Sequence, residues 1–151
     1  MQYAQLGRTG AKVSRIVLGT MNFGPHTDEA DAFAIMDRAV DAGINFFDTA
    51  NTYANSRSET ILGNVLKGRR QDAIIASKVF NPTGSGPNDS GMSRVHILSA
   101  IEASLRRLQT DYLDIYYIHH VDTQTPLEEM LRAFDDLARQ GKVRYIACSN
   151  Y

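Results

Sequence analysis

The chain has 151 residues, 43% of them hydrophobic, with sixteen basic and seventeen acidic side chains and a formal net charge of −1. That length supports one domain with a real core, and the apolar content argues against disorder. The near-neutral charge gives no electrostatic case for nucleic acid or an anionic membrane surface, the single cysteine excludes an internal disulfide, and no apolar run is long enough to cross a bilayer or form a leader segment near Met1. The expectation is a soluble cytoplasmic protein.

In chain order, residues 3–12 carry the turn signal Gly7-Arg8-Thr9-Gly10 between short apolar pieces, which predicts a small hairpin. Residues 14–20 read as a buried strand closing at Gly19 and Thr20. Thr27 or Asp28 caps a helix running to about Ala42, with Phe33, Met36 and Val40 on one face and Gly43 as its left-handed terminator. Residues 44–47 form the next strand. Ser56-Arg57-Ser58-Glu59 has the capping-box pattern, Ile61, Leu62, Val65 and Leu66 follow at helical spacing, and Gly68 closes that helix.

Residues 73–77 make a third strand. The segment 81–91 is rich in Pro, Gly, Asn, Asp and Ser and is long for a loop in a compact domain, a length associated with function. Ser93 caps a helix in which Ile97, Ile101 and Leu105 recur every fourth residue. Residues 113–118, aromatic and β-branched, form the fourth strand. Thr125-Pro126-Leu127-Glu128 supplies an N-cap, a proline at the first helical position and a glutamate at the third, ahead of an apolar stripe of Leu127, Met130, Leu131, Phe134, Leu137 and Ala138. Gly141 ends that helix, and residues 143–148 form a fifth strand in which Cys148 is expected as a buried free thiol.

Strands and helices alternate, and the strand ends near Leu18, Phe47, Ser77, Ile118 and Cys148 recur at intervals of roughly thirty residues, stretched once by the 81–91 loop. Apolar strands separated by helices indicate a parallel sheet covered by helices. No Gly-x-Gly-x-x-Gly follows the first strand, which counts against a dinucleotide-binding doubly wound sheet. Polar residues at successive strand ends favour a barrel. The predicted fold class is therefore α/β: the N-terminal part of a (β/α)8 TIM barrel in one domain over residues 1–151, about five parallel strands and four helices behind a short hairpin. Such a barrel takes about 250 residues, and an open five-stranded sheet leaves two edges unpaired. The expectation is that the sequence is the front part of a longer protein.

Four of these strand ends carry chemistry. In Asn45-Phe46-Phe47-Asp48-Thr49-Ala50-Asn51-Thr52-Tyr53 a buried strand runs into an acid, with a phenol on the loop that follows. Lys78 ends the next strand, His119 and His120 the one after, and Cys148-Ser149-Asn150 the last. Loops at the carboxyl ends of parallel strands are where barrel enzymes keep their active sites. A phenol holds its proton too tightly to serve as an acid near neutrality unless an ammonium stabilises the phenolate. A carboxylate keeps that ammonium charged and in place, and a neutral imidazole can hydrogen-bond a substrate oxygen. Asp48, Tyr53, Lys78 and His119 thus make a general acid with its tuning partners, suited to protonating a carbonyl oxygen as hydride arrives at carbon. Taken singly, each has a structural reading: a rim ion pair for Asp48 and Lys78, a loop aromatic for Tyr53, a core histidine for His119.

At these residues the sequence resembles the aldo-keto reductase family over its full length. The resemblance runs through Leu6-Gly7-Arg8-Thr9-Gly10, Leu18-Gly19-Thr20-Met21, the 45–53 stretch, Ser77-Lys78, Ile118-His119-His120-Val121-Asp122 and Gly141-Lys142-Val143-Arg144, ending at Cys148-Ser149-Asn150-Tyr151. Within the family it is most similar to bacterial members related to the potassium-channel β subunits. The resemblance implies NADPH as cofactor, with NADH the alternative, and a small aldehyde or ketone as substrate. It implies catalytic roles for Asp48, Tyr53, Lys78 and His119. It implies cofactor contacts from Gly19, Thr20, Met21, Asp48, Ser149 and Asn150. Phe23, Phe80 and His120 join Tyr53 and His119 as expected substrate-pocket walls, with packing of the rim as the alternative. The resemblance gives the catalytic role to His119, because the family pattern places that residue immediately after the strand's apolar run; strand alternation is expected to point His120 to the opposite face. The family's phosphate and adenine contacts lie in later segments of the barrel, so the choice between the two nucleotides is not legible here. The same residues also suit a cofactor-binding regulatory subunit of the channel β type, or a non-catalytic half-barrel. No metal site, nucleic-acid partner or membrane partner is expected, and oligomeric state is not readable.

Overall fold

A computed structural model describes residues 1–151. Strands β1 (Tyr3–Gln5) and β2 (Lys12–Ser14) form the expected antiparallel hairpin, with Ala4 opposite Val13. There follow β3 (Leu18–Gly19), α1 (Glu29–Asp41), β4 (Phe46–Asp48), α2 (Arg57–Val65), β5 (Ile74–Val79), α3 (Arg94–Leu108), β6 (Leu113–Ile118), α4 (Leu127–Arg139) and β7 (Val143–Cys148). Strands β3 to β7 lie in one parallel sheet, in the order β3-β4-β5-β6-β7. Spatial order follows chain order with no reversal. A doubly wound sheet must reverse at a switch point, whereas a barrel advances strand by strand. The partial barrel expected from the sequence is the fold observed. No helix is long and apolar enough to cross a membrane.

The two faces of the sheet are chemically different. The helix-bearing face holds the main core, where Phe47, Ile75, Tyr116 and Ile118 pack against Met36, Leu62, Ile101 and Phe134 from the four helices. The concave face holds a smaller cluster of Phe46, Ala76 and Ile115, with Tyr117, Tyr145 and Ala147 beside it. Val13 and Leu6 of the hairpin join that inner cluster. Asn45, just before β4, ties the hairpin down: its Oδ1 accepts from Ser14 N–H at 2.7 Å and its amide donates to Lys12 O at 3.2 Å. The hairpin therefore closes the amino-terminal end of the strands, leaving the carboxyl ends open for the site.

Local expectations hold where a single side chain decides them. Asp28 caps α1 by accepting from Asp31 N–H, and Ser93 caps α3 by accepting from His96 N–H. Others are corrected. The strand expected over 14–20 is only Leu18–Gly19, because Ser14 turns its hydroxyl onto Ile16 O at 2.7 Å and bends the chain, leaving Ile16 and Val17 exposed. Ser56 does not cap α2: it sits at φ 70 and its hydroxyl donates back to Asn51 O. Glu59, the other half of the expected capping box, is instead fully buried against Ser77 and Arg107. Thr125 gives its hydroxyl to Asp122, so α4 starts after Pro126 without a side-chain cap. In α1 the buried face is Ala32, Met36 and Ala39, not Phe33 and Val40. In α4, Leu127 and Leu131 stay exposed while Ala133 is buried. Cys148 is exposed, because no helix of this chain covers the outer face of β7 near Ile146 and Cys148.

Helix α2 lies against the end of α3 at backbone contact. A β-carbon on Gly63 meets Arg107 O at 2.6 Å and the Leu108 backbone at 2.8 Å. Backbone cannot yield as a side-chain tip can. Gly63→Ala should therefore lower stability by about 1–3 kcal/mol, read as a drop in the urea midpoint with unchanged slope; an unchanged midpoint contradicts the close approach.

Candidate active site

The parallel register builds the site. Asp48 is level with Ala76, and Lys78 with Tyr117, so Asp48 and Lys78 both present side chains to the concave face. Phe47 and Ser77, one residue back on each strand, point to the helices. Lys78 is 7% exposed, and its three N–H bonds are all used. One goes to Asp48 Oδ1, one to Thr49 O at 2.9 Å and one to the Tyr53 hydroxyl at 3.2 Å. Because the Tyr53 oxygen accepts from the ammonium, its own O–H proton is left to point outward. The ammonium also stands 4.9 Å from the Tyr53 ring centroid. A second phenol, Tyr117, has its ring 5.8 Å from the ammonium on the same face. Burial, then the Asp48 and Cys148 charges, push the Tyr117 pKa above its ordinary value, so it holds its proton.

His119 follows β6 and packs edge-on to Tyr53 with ring centroids 6.0 Å apart. Its Nδ1 faces the Asn81 amide nitrogen at 3.5 Å; with that amide donating, Nδ1 accepts and the ring proton sits on Nε2. Burial, the Lys78 ammonium and His120 lower the His119 pKa from 6.5 to about 4. The ring is therefore neutral at physiological pH and acts as a hydrogen-bond donor without a charge. Since the folded value is the depressed one, the unfolded chain binds this proton more tightly. The contribution to stability is fully present above pH 6.5 and is lost as pH falls toward 4. An NMR titration of the His119 ring should show its midpoint near 4; a midpoint above 6 contradicts the cation-flanked geometry.

His120 does not turn to the opposite face as alternation suggested. Strand β6 stops at Ile118, and beyond it the two imidazoles stack 4.6 Å apart at 14°, with Phe80 edge-on to His120 at 5.4 Å. His120 and Phe80 thus form one aromatic wall beside the Tyr53–His119 pair. Phe23, expected in that wall, is 3% exposed and packs into the main core, so its ring supports the rim from beneath.

The other rim residues divide. Gly19 and Met21 stand exposed, whereas Thr20 is fully buried and its hydroxyl faces Ser58 and Asp48 O. Asn150, at φ 59, donates its amide to His119 O at 2.9 Å and to Ser149 Oγ at 3.0 Å. That leaves the Asn150 side-chain oxygen and the Ser149 hydroxyl proton free, one acceptor beside one donor. Three residues that sequence reasoning passed over belong to the arrangement. Asn81 orients His119, Thr49 offers its carbonyl to Lys78, and Ser58 lies beneath both loops. Asn81 sits one residue past Phe80 in the long loop, and that loop's composition was the only signal for it.

The 81–91 loop is itself held against the turn after β6. Asp122 accepts from Met92 N–H, Gln124 N–H, Thr125 N–H and the Thr125 hydroxyl. Burial works to raise the Asp122 pKa, but these hydrogen bonds outweigh it and lower it, so the clasp stays ionised. His96 Nδ1 meets Asn88 O at 3.0 Å and fixes the loop from below.

The Aldo/keto reductase family profile matches residues 15–151. The chain is 48% identical over 162 residues to the uncharacterized oxidoreductase YrpG of Bacillus subtilis, covering 100% of this chain and 50% of that protein. It is 41% identical over 155 residues to a probable voltage-gated potassium channel subunit beta of Oryza sativa, covering 100% of this chain and 47% of the relative. It is 36% identical over 176 residues to the versiconal hemiacetal acetate reductase of Aspergillus parasiticus, covering 99% and 51%. The chain spans about half the length of the curated relatives it matches.

Proposed function

The chain belongs to the aldo/keto reductase family, and from that premise we propose that the protein carrying it reduces aldehydes or ketones to alcohols with a nicotinamide nucleotide, NADPH in the first instance. The observation that carries this reading is the single ammonium of Lys78 bonded at once to Asp48, Thr49 O and the Tyr53 hydroxyl.

The residues present suit the nucleotide. A primary carboxamide offers one acceptor and two donors, the complement of the free Ser149 hydroxyl and Asn150 side-chain oxygen. Bound there, the nicotinamide would supply hydride to the carbonyl carbon. The chain's own groups handle the proton. His119 Nε2–H holds the substrate oxygen, and Tyr53 passes its proton to that oxygen as the carbon–oxygen π bond breaks. The phenolate left on Tyr53 is met by the Lys78 ammonium at 3.2 Å, and Asp48 balances the ammonium. Phe80 and His120 wall one side of this opening with apolar ring surface, which favours aromatic or aliphatic carbonyl compounds over strongly charged ones.

A second reading has one observation in its favour: the probable potassium channel subunits among the relatives share 41% and 42% identity with this chain. In that reading the same groups hold a nucleotide for regulation and turn over slowly. Loss of reduced-nucleotide absorbance with 4-nitrobenzaldehyde, measured on the full-length protein, separates the two. Turnover on the order of 1 s⁻¹ or faster is expected of a reductase. Saturable nucleotide binding with no aldehyde-dependent turnover would transfer the case to the regulator.

A further inference from the structure

We propose that Ser58 is a positioning residue for Lys78, acting through Thr49 from beneath the site; the catalytic meaning of this rests on the reductase reading above. Ser58 lies in the first turn of α2 and is fully buried, as are Thr20 after β3 and Thr49 after β4. The three hydroxyls converge. Ser58 Oγ donates to Thr20 O at 2.7 Å and lies 2.8 Å from Thr20 Oγ1 and 3.1 Å from Thr49 Oγ1.

Counting protons gives one consistent assignment of the roles. Ser58 has one proton, spent on Thr20 O. Its oxygen then accepts from Thr49, while the single Thr20 hydroxyl proton is given to Asp48 O at 3.1 Å and Thr20 Oγ1 shares the Ser58 proton. Ser58 thus spends its proton on Thr20 and an acceptor site on Thr49. It is the one side chain bonded to both the β3 and the β4 loops. Thr20 N–H meanwhile donates to Asp48 O at 2.9 Å and Thr49 N–H to Ala76 O at 2.9 Å. The backbone at Asp48 and Thr49 is therefore held from below by this cluster, and the Thr49 carbonyl it orients is one of the three acceptors of Lys78.

Alanine at 58 removes the only acceptor given to the Thr49 hydroxyl in a site with no exposed surface. The Thr49 peptide can then tilt to find another partner, drawing its carbonyl from Lys78. Serine 58 touches neither substrate nor nucleotide in this arrangement, so its effect should fall on the chemical step and not on binding.

The test uses the full-length protein and two readouts. In nitrogen NMR, the Lys78 ammonium, locked by three acceptors, should exchange its protons slowly, and Ser58→Ala should speed that exchange by about tenfold, with a similar fall in kcat for 4-nitrobenzaldehyde and a nucleotide KM within about twofold. Gly63→Ala, on the same helix but away from the hydroxyls, controls for loss of stability and should leave the exchange unchanged. A folded Ser58→Ala protein with unaltered Lys78 exchange overturns the proposal. If Ser58→Ala does not fold, Thr49→Val, which keeps shape and carbonyl but deletes the hydroxyl, must accelerate the exchange or the proposal fails. Faster exchange in a protein whose Tyr53→Phe variant keeps full turnover would leave the positioning role standing and remove the reductase reading alone.

Discussion

Tyr53→Phe in the full-length protein is expected to lower kcat for aldehyde reduction by about 10³-fold, within the range a positioned general acid contributes, while nucleotide affinity stays within about twofold. The reasoning is local. The ring remains, so its edge contact with His119 and its place over Lys78 are retained. Only the oxygen is lost, and with it the one group placed both to give up a proton and to leave its negative charge 3.2 Å from an ammonium. Tyr117 cannot take over, because burial and Asp48 hold its proton on and its ring lies 5.8 Å from the ammonium. His119 cannot either, since with a pKa of about 4 it carries no spare proton at neutral pH. Steady-state rates across pH, with nucleotide binding followed separately, make the comparison. A variant that keeps more than a tenth of the wild-type rate would remove Tyr53 from the chemistry.

How much of this was legible beforehand depends on what kind of physics placed each residue. The parallel sheet, the hairpin and the alternation of strands and helices follow from hydrophobic periodicity, which is local and strong, and residues 113–118 and 143–148 emerge with the boundaries expected. Asp48 and Lys78 were readable for the same reason, since a strand's pleat decides which of its end residues face inward, and His119 was readable from its place directly after the apolar run of β6. The failures begin where that order stops. His120 lies past the end of β6, where alternation no longer governs, and it stacks on His119. Ser56 matches a capping pattern, but Ala54, Asn55 and Ser56 all adopt left-handed φ to deliver the chain from Tyr53 into α2, and that turn uses its hydroxyl on Asn51. In α1 the pattern pointed to the large residues Phe33 and Val40, whereas the packed face uses Ala32 and Ala39. The Ser58–Thr20–Thr49 cluster joins positions 38 and 9 residues apart through tertiary packing alone, and no spacing rule announces it.

Glu59 separates the groups that hold this fold from those proposed to do its chemistry. It is fully buried between α2, β5 and α3, accepting from the Ser77 hydroxyl at 2.5 Å and from Arg107 Nε at 2.7 Å, with Arg107 itself 23% exposed along its side chain. Such a pair adds little over an apolar replacement of both partners, but deleting one leaves a charge and a hydroxyl without their partner. Glu59→Ala should therefore cost about 3–5 kcal/mol, read by urea unfolding of the full-length protein. Glu59→Gln retains an acceptor for Ser77 and loses only the charge opposite Arg107, so its cost should be smaller, about 1–3 kcal/mol. Replacing Glu59 and Arg107 together by apolar residues should cost less than the sum of the two single changes, because neither partner is then stranded. Ser77 points to the helix side of β5 and Lys78 to the concave side. The carboxylate is thus separated from the ammonium by the strand, and kcat of the folded Glu59→Gln protein should stay within about twofold of wild type. A loss below about 1 kcal/mol for Glu59→Ala would mean that this carboxylate is not held as a buried, paired charge. A large fall in kcat with stability intact would instead move Glu59 into the machinery of the site.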